Sequence, residues 1–151
     1  MHPANPAEGQ ALTRHAFTVI ELTVSVCILC VLSAIAMPLA GKLLDRVRVR
    51  GAVVEVQSLF SAARHIAIAR SSQATVEVDT VAQTIYVTVG ADTLRKREIG
   101  AEHGVRLAAS RVRMSYSATG IGYGAANLSV SVRRNDSVDT VFVSRLGRLR
   151  H

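Results

Sequence analysis

Cysteine could carry redox chemistry in this chain, and cysteine and histidine, with carboxylates beside them, could bind a metal. Cys27 and Cys30 are spaced as C-x-x-C, but both lie inside an uncharged apolar run of residues 22–40. A redox pair needs a stabilised thiolate, which hydrocarbon surroundings cannot provide, so we interpret both as small apolar packing residues. Histidines such as His65 and His103 are scattered, with no cysteine or carboxylate at metal-ligand spacing. The sequence therefore predicts no metal, no cofactor and no catalytic residue.

A glycine-rich segment, TGIGYGA, covers residues 119–125. Its G-x-G-x-G spacing differs from that of a dinucleotide site, and a strand rather than a helix is predicted after it. We interpret this segment as a flexible loop.

Arginines are concentrated toward the C-terminus of a chain with a net charge of +7. A hairpin is predicted across residues 134–137. Five arginines fall on or just beyond this hairpin, namely Arg133, Arg134, Arg145, Arg148 and Arg150. Guanidinium groups neutralise phosphates without reading base sequence, so these five are candidate DNA-binding residues, with Tyr123 as a nearby aromatic. The alternative is that an arginine-rich composition simply places arginine on solvated faces.

The apolar run is long enough to cross a membrane. Residues 22–40 carry no charge over nineteen positions, and at about 1.5 Å per residue they span roughly 28 Å, close to the thickness of the hydrocarbon layer. A buried core helix is one alternative, but so small a domain could hardly surround this segment. A cleaved secretory signal is another, but its apolar part is shorter. We therefore predict one spanning helix.

Glu21 lies at the N-terminal edge of this helix. A carboxylate inside a spanning helix costs about 2.5 to 3.5 kcal/mol at the bilayer centre and less near its edge. Such a group needs a partner. The alternative is that Glu21 lies in the headgroup layer and reaches water.

The residues around Glu21 resemble the type III signal of type IV prepilins. Ala16 is followed by FTVIEL, residues 17–22, which differs from the family pattern F-T-L-I-E-L at Val19, and the apolar run follows at once. Ala16 stands where the family usually has glycine. The resemblance implies that a prepilin peptidase cleaves between Ala16 and Phe17 and methylates the new amine. It also implies that Glu21 pairs with the amine of a neighbouring subunit in a filament.

The charges that flank the apolar run indicate a different membrane orientation from the one that the resemblance implies. Arg14 is the one Lys or Arg before the run, whereas four basic residues follow closely, namely Lys42, Arg46, Arg48 and Arg50. Counting positive charges would place the C-terminal flank in the cytoplasm. The resemblance implies a cytoplasmic leader instead, which leaves the basic residues at anionic headgroups or on a filament partner.

Periodicity beyond the run predicts an α+β fold. Apolar residues spaced by three and four predict an amphipathic helix that continues to about Ser71. Its stripe consists of Val49, Ala52, Val53, Val56, Leu59, Phe60, Ala63, Ile66 and Ala67. Period-two alternation predicts strands at residues 74–79, 84–89, 93–99, 105–108, 112–117, 128–133 and 138–144. We expect a long N-terminal helix packed on an antiparallel β domain.

This order of elements, with the final residues VSRLGRLR at 143–150, resembles the GspH/FimT group of minor pseudopilins. In that group, members of type II secretion systems help to build the tip of a pseudopilus, and members of type IV pilus systems can bind DNA during uptake. The C-terminal pattern G-R-x-R is associated with the DNA-binding members, and here it covers residues 147–150.

The resemblance implies four segments and a role. The segments are a leader at residues 1–16, a transmembrane half-helix at 17–40, an amphipathic half-helix at 41–71 and a periplasmic β domain at 72–151. We expect a structural subunit of the bacterial inner membrane, without enzymatic activity, whose partners are other pilins and the prepilin peptidase. The alternative is a FimT-like minor pilin that binds DNA through the C-terminal arginines. The sequence leaves open whether the machine secretes proteins, extends pili or imports DNA.

Overall fold

The structure, a computed structural model, describes residues 18–123, 127–144 and 148–150. Its contacts divide the chain into two units, Met1–Pro38 and Leu39–His151, and each is described by itself. Helix α1 (Val19–Ala69) contributes to both units and ends two residues before the predicted end.

The described part of the first unit is the N-terminal part of α1. Its side chains are exposed from Thr18 to Pro38, although most of them are apolar. The helix contains a segment long and apolar enough to cross a membrane, and none of that segment is buried. A helix that is apolar all round and yet unburied fits a single-pass membrane anchor. Cys27 and Cys30 lie in this segment as free cysteines.

The second unit packs the remainder of α1 on two antiparallel sheets. One sheet has the strand order β3-β2-β1-β5-β6, and the other has the order β4-β7-β8-β9. A short helix, α2 (Ile99–His103), follows β3. The strands are β1 (Ala74–Asp79), β2 (Thr84–Val89), β3 (Asp92–Arg97), β4 (Arg106–Ala109), β5 (Arg113–Tyr116), β6 (Gly122–Tyr123), β7 (Leu128–Arg134), β8 (Ser137–Val143) and β9 (Leu149–Arg150).

One stripe of α1 and the inner faces of both sheets form a single core. The buried residues of α1 are Val49, Ala52, Val53, Val56, Leu59, Phe60, Ala63 and Ala67. These are the predicted stripe, except that Ile66 is only partly buried. Alternate residues of the strands, such as Val76 in β1 and Val130 in β7, complete the core. The predicted long helix packed on an antiparallel β domain is therefore confirmed.

The strands that alternate most regularly match their predicted bounds. β1 and β2 agree with prediction residue for residue, and the predicted hairpin joins β7 to β8. In its turn, Arg134 lies opposite Ser137 and Asn135 adopts a left-handed φ of 50°. The strand predicted at 93–99 ends at Arg97 because Ile99 begins α2.

The glycine-rich segment is part of the folded domain where the structure describes it. Gly120 has a φ of +75°, and a Cβ at this position would lie 2.7 Å from Cδ1 of Ile68 in α1. Gly122 and Tyr123 form β6, which pairs with β5. A turn packed closely on α1 therefore replaces the flexible-loop interpretation for residues 120–123, and residues 124–126 lie outside the described part.

Candidate functional site

The start of α1 is closed by a capping box formed by Thr18 and Glu21. The Glu21 backbone N–H donates to Thr18 Oγ1 at 3.2 Å, and the Thr18 backbone N–H donates to Glu21 Oε2 at 3.2 Å. This reciprocal pair satisfies two donors that the first turn of a helix leaves free, and the carboxylate complements the positive end of the helix dipole. The T-x-x-E spacing is a capping signal in the sequence itself. It gives Glu21 a local role besides the predicted pairing with an amine.

The capping contacts leave part of the Glu21 carboxylate available. The Thr18 hydroxyl also lies 3.3 Å from Oε2, so all contacts from Thr18 reach the same oxygen. Within residues 18–123, 127–144 and 148–150, no hydrogen bond reaches Oε1, and the side chain is exposed. Glu21 can therefore accept a further donor without losing the cap. The predicted cleavage and methylation residues, Ala16 and Phe17, lie outside the described residues.

Arg134 is held inside the domain, unlike the other described arginines of the predicted DNA-binding group. Its Nε donates to Asp45 Oδ1 at 2.6 Å, and its Nη1 donates to the Gly104 carbonyl at 2.5 Å. Its side chain is 24% exposed and that of Asp45 is 16% exposed. Hydrogen bonds from Asn135 and Arg134 hold the pKa of the Asp45 carboxyl below its ordinary value of 3.8. The Arg134 guanidinium is therefore committed to joining β7 to α1.

Arg133 points to the opposite, outer face of the four-stranded sheet. It is exposed, and its Nε donates to the Asn135 carbonyl of its own turn at 3.1 Å. Arg106 of β4 lies directly opposite it in the β4–β7 ladder. Like charges in such a position repel each other, and within the described chain neither residue has an ion pair. Arg106 was not predicted, because its place beside Arg133 depends on the pairing of two distant strands.

The C-terminal arginines lie at the other end of this outer face. Arg148 and Arg150 are exposed, and Arg150 lies opposite Phe142, an aromatic residue that is 55% exposed. Phe142 lies opposite Ser129, four residues along β7 from Arg133, which separates the two ends by about 13 Å. Arg145 lies outside the described residues.

The aromatic residue beside these arginines is Phe142 rather than the predicted Tyr123. Tyr123 is 72% exposed, but it belongs to β6 of the five-stranded sheet. The alternation of β8, in which Val141 and Val143 are buried, places Phe142 outward. That alternation is visible in the sequence and could have identified Phe142.

The two outer faces differ in how their charges are compensated. On the five-stranded sheet, Arg113 pairs with Glu77 at 2.9 Å. On the four-stranded sheet, the described outward positions hold arginines, uncharged residues that include Val138 and Phe142, and no carboxylate. Those positions are Arg106, Ala108, Ser129, Ser131, Arg133, Val138, Thr140, Phe142 and Arg150. We call these nine residues the basic sheet face. Its uncompensated positive charge suits an extended anion.

A second cluster of charged residues joins α1 to β3 and α2. His103 Nε2 lies 2.7 Å from one oxygen of Glu55, and Arg97 Nε donates to the other oxygen at 2.5 Å. Arg97 Nη2 also lies 3.1 Å from Glu102. Partial burial raises the pKa of the Glu55 carboxyl, but the hydrogen bonds from His103 and Arg97 outweigh this effect, so the pKa falls below its ordinary value of 4.5.

The same cluster contains residue types that could hold a metal. Oxygen atoms of Glu55 and Glu102 and a ring nitrogen of His103 lie within 4.8 Å of one another. Zinc accepts such ligands, but Arg97 already contacts both carboxylates and supplies the positive charge that they need. We interpret the cluster as an ion-pair network. The sequence did not predict it, because Glu55 and Arg97 are 42 residues apart.

Comparison with solved structures identifies the fold. The chain is similar to the type IV minor pilin FimU of Pseudomonas aeruginosa, with a TM-score of 0.61 and 16% sequence identity over 70% of this chain and 89% of that one. A second crystal form of FimU gives a TM-score of 0.57. The chain is also similar to the minor pseudopilin EpsH from the type 2 secretion system of Vibrio cholerae, with a TM-score of 0.53 and 11% identity over 68% of this chain and 94% of that one.

These similarities lie in the fold rather than in the sequence. No protein-family model and no curated protein matches this chain. The fold is therefore pilin-like, as predicted, and a role must be argued from the side chains that this chain places on it.

Proposed function

We propose that the chain, which has the fold of minor pilins and pseudopilins, is a structural subunit of a type IV pilus or a type II secretion pseudopilus. One observation carries the proposal. The helix that forms the core of the β domain is the same helix that carries an unburied apolar segment with Glu21 at its start. A soluble enzyme has no use for such a segment, whereas a subunit that moves from a membrane into a filament buries it in both places.

We further propose that a prepilin peptidase cleaves the precursor between Ala16 and Phe17 and methylates Phe17. The support is the FTVIEL motif at residues 17–22, placed directly before the apolar segment. On this proposal, the β domain lies in the periplasm and α1 crosses the inner membrane. Intact mass and N-terminal sequencing of the chain purified from membranes test it, since a mature chain that begins at another residue contradicts the motif.

In the assembled filament, we propose that the carboxylate of Glu21 accepts the N-terminal amine of a neighbouring subunit. The capping box supports this role, because Thr18 engages Oε2 and leaves Oε1 for a second donor. An ion pair in a low-dielectric filament core is stronger than one in water, and an unpaired carboxylate there is costly. Pairing would therefore favour subunits placed in one register.

Glu21→Gln is a sharp test, because glutamine at this position keeps the capping box and removes only the charge. We expect the variant to be processed and inserted as the parent is, but to be depleted at least tenfold from sheared filaments. Glu77→Gln, which removes an exposed carboxylate from the five-stranded sheet, is the matched control. Equal incorporation of Glu21→Gln and the parent would refute the assembly role.

A second candidate function is DNA binding, and the basic sheet face favours it. Arg106 and Arg133 lie at one end, Arg150 at the other, and Phe142 offers an aromatic surface beside Arg150. Phosphates would be bound by the arginines without base reading, and a base could stack on the ring. Arg134 is excluded from this role because Asp45 holds it.

Gel-shift titration of the full chain in nonionic detergent tests this second candidate. We expect double-stranded DNA to shift at low salt. In R106Q/R133Q and in R148Q/R150Q, the slope of log affinity against log salt concentration should become shallower by about 0.9 for every phosphate that the variant no longer neutralises. R95Q/K96Q, on the edge strand of the other sheet, removes the same charge and should leave the slope unchanged. Absence of a shift at low salt removes the DNA-binding function and leaves the structural one intact.

A further inference from the structure

A groove lies between α1 and the β7–β8 turn, and charges of opposite sign line its two walls. Lys42, Arg46 and Arg50 form the helix wall, and Asp136 and Asp139 lie on the hairpin wall of a cavity of about 490 Å³. The three basic residues are spaced by four, which places them on one face of the helix. We call these five residues the zwitterion groove.

The opposite charges of the groove face each other without pairing. None of the five residues is in an ion pair within the part of the chain that the structure describes. Asp139 Oδ1 accepts a hydrogen bond from the Thr140 backbone N–H at 2.7 Å, which leaves its other oxygen available. The nearby acid of α1, Asp45, is occupied by Arg134 and Asn135. Two unpaired walls of opposite sign suit a ligand that carries both charges.

The position of the groove along α1 indicates what this ligand is. Lys42 and Arg46 follow the end of the apolar run at Ala40 by two and six residues, which corresponds to about 3 and 9 Å along the helix. Lipid headgroups occupy roughly 5 to 8 Å on each side of the hydrocarbon layer. Side chains of a helix also tilt toward its N-terminus, which here is the direction of the apolar run. If α1 crosses a membrane with its apolar run in the hydrocarbon layer, Lys42 and Arg46 therefore reach the depth of the lipid phosphates.

We propose that the zwitterion groove binds the headgroup of a phospholipid that carries a phosphate and a primary ammonium, as phosphatidylethanolamine does. Lys42 and Arg46 bind the phosphate, and Asp136 and Asp139 accept N–H donors from the ammonium. A quaternary ammonium has no N–H to donate, and a glycerol headgroup has no cation. This site also accounts for three of the four basic residues on the flank that positive-charge counting assigns to the cytoplasm. The proposal requires that α1 crosses a membrane but is independent of filament assembly.

Native mass spectrometry of the full chain in nonionic detergent tests the site. Phosphatidylethanolamine, phosphatidylglycerol and phosphatidylcholine with the same acyl chains are titrated separately, and bound adducts are counted. We expect phosphatidylethanolamine to bind most and phosphatidylcholine least. Equal binding of the ethanolamine and choline lipids would overturn the proposal, and a preference for phosphatidylglycerol over phosphatidylethanolamine would show a simple anion site instead.

Substitutions on the two walls should have different signatures. K42Q/R46Q should weaken both phosphatidylethanolamine and phosphatidylglycerol, by roughly twofold to fivefold for each charge removed, as for partly exposed ion pairs. D136N/D139N should weaken phosphatidylethanolamine while phosphatidylglycerol binds as well or better, because repulsion of its phosphate is removed.

Two control variants change the net charge equally at other places. R95Q/K96Q, on the edge strand β3, matches the basic-wall variant, and E77Q/E98Q matches the acidic-wall variant. Lipid binding by both controls should equal that of the parent. Controls that change lipid binding as much as the groove variants would overturn the proposal, and so would loss of both lipids in D136N/D139N.

Discussion

Replacement of Arg134 by alanine should destabilise the β domain, whereas the same change at the adjacent Arg133 should not. Arg134 donates to the Asp45 carboxylate at 2.6 Å and to the Gly104 carbonyl at 2.5 Å, with its side chain 24% exposed. Arg133 is exposed and reaches only a carbonyl of its own turn among the described residues. The two neighbours therefore carry the same charge, but removal of Arg134 takes a donor from Asp45 and from the Gly104 carbonyl, whereas removal of Arg133 affects only a carbonyl in its own turn.

The size of the effect follows from these hydrogen bonds. A hydrogen bond from a charged donor contributes about 1.5 to 3 kcal/mol, and we assign that range to the bond that Arg134 makes with the Gly104 carbonyl. For a domain of this size, a loss of about 2 kcal/mol lowers the melting temperature by roughly 6 to 12 °C. Exposed substitutions such as Arg133→Ala stay within about 0.5 kcal/mol.

Thermal unfolding of the full chain in detergent, followed by circular dichroism, measures both variants. Arg134→Lys is an informative third variant, because lysine keeps the charge but lacks the planar guanidinium that reaches two acceptors. Its melting temperature should therefore lie between those of Arg133→Ala and Arg134→Ala. Equal melting temperatures for Arg133→Ala and Arg134→Ala would refute the reasoning. A larger decrease for Arg133→Ala than for Arg134→Ala would refute it equally.

Three further predictions concern the domain. Gly120→Ala should destabilise the β domain by about 1 to 3 kcal/mol, because the added Cβ meets Ile68 of α1 at a positive φ. Gly90→Ala, also at a positive φ but in open space, should cost less, and chemical denaturation compares the two variants. Phe60→Ala, at a fully buried position, should cost about 3 to 5 kcal/mol in the same assay. The lowered pKa values of Asp45 and Glu55 stabilise the fold above their ordinary values of 3.8 and 4.5. That stability should disappear as the pH falls through the lowered values, so melting temperature should drop below about pH 4.5, and less so in D45N/E55Q.

The parts of the fold that were predictable from the sequence are those whose signal is local. The alternation in β1 and β2 and the three-four spacing of the α1 stripe follow from which side of each element is buried. α2 has five residues and β6 and β9 have two each, too few for a period to be read. Their existence depends on neighbours that the chain supplies from elsewhere.

The candidate sites show the same division. Glu21 and its capping partner Thr18 are three residues apart, so their relation is contained in the local sequence. Arg134 and Asp45 are 89 residues apart, and no pattern near either residue predicts that they meet. The alternation of β7 places Arg134 on the face of the buried Val130 and Arg133 on the opposite face, but it does not predict which residue Arg134 meets there.

The ion pair between Asp45 and Arg134 also determines how the second unit responds to force. The buried stripe of α1 begins at Val49. Among the described residues of the second unit, Asp45 lies about one turn before this stripe and is the first residue of α1 whose side chain is hydrogen-bonded to the β7–β8 hairpin, so tension on the helix would load it first. Force applied to this end of the helix would act on the polar contacts of Asp45 before it acts on the apolar contacts of the buried stripe. Peeling of the helix from the sheets would then start by breaking the Arg134–Asp45 ion pair together with the hydrogen bond from Asn135 to Asp45.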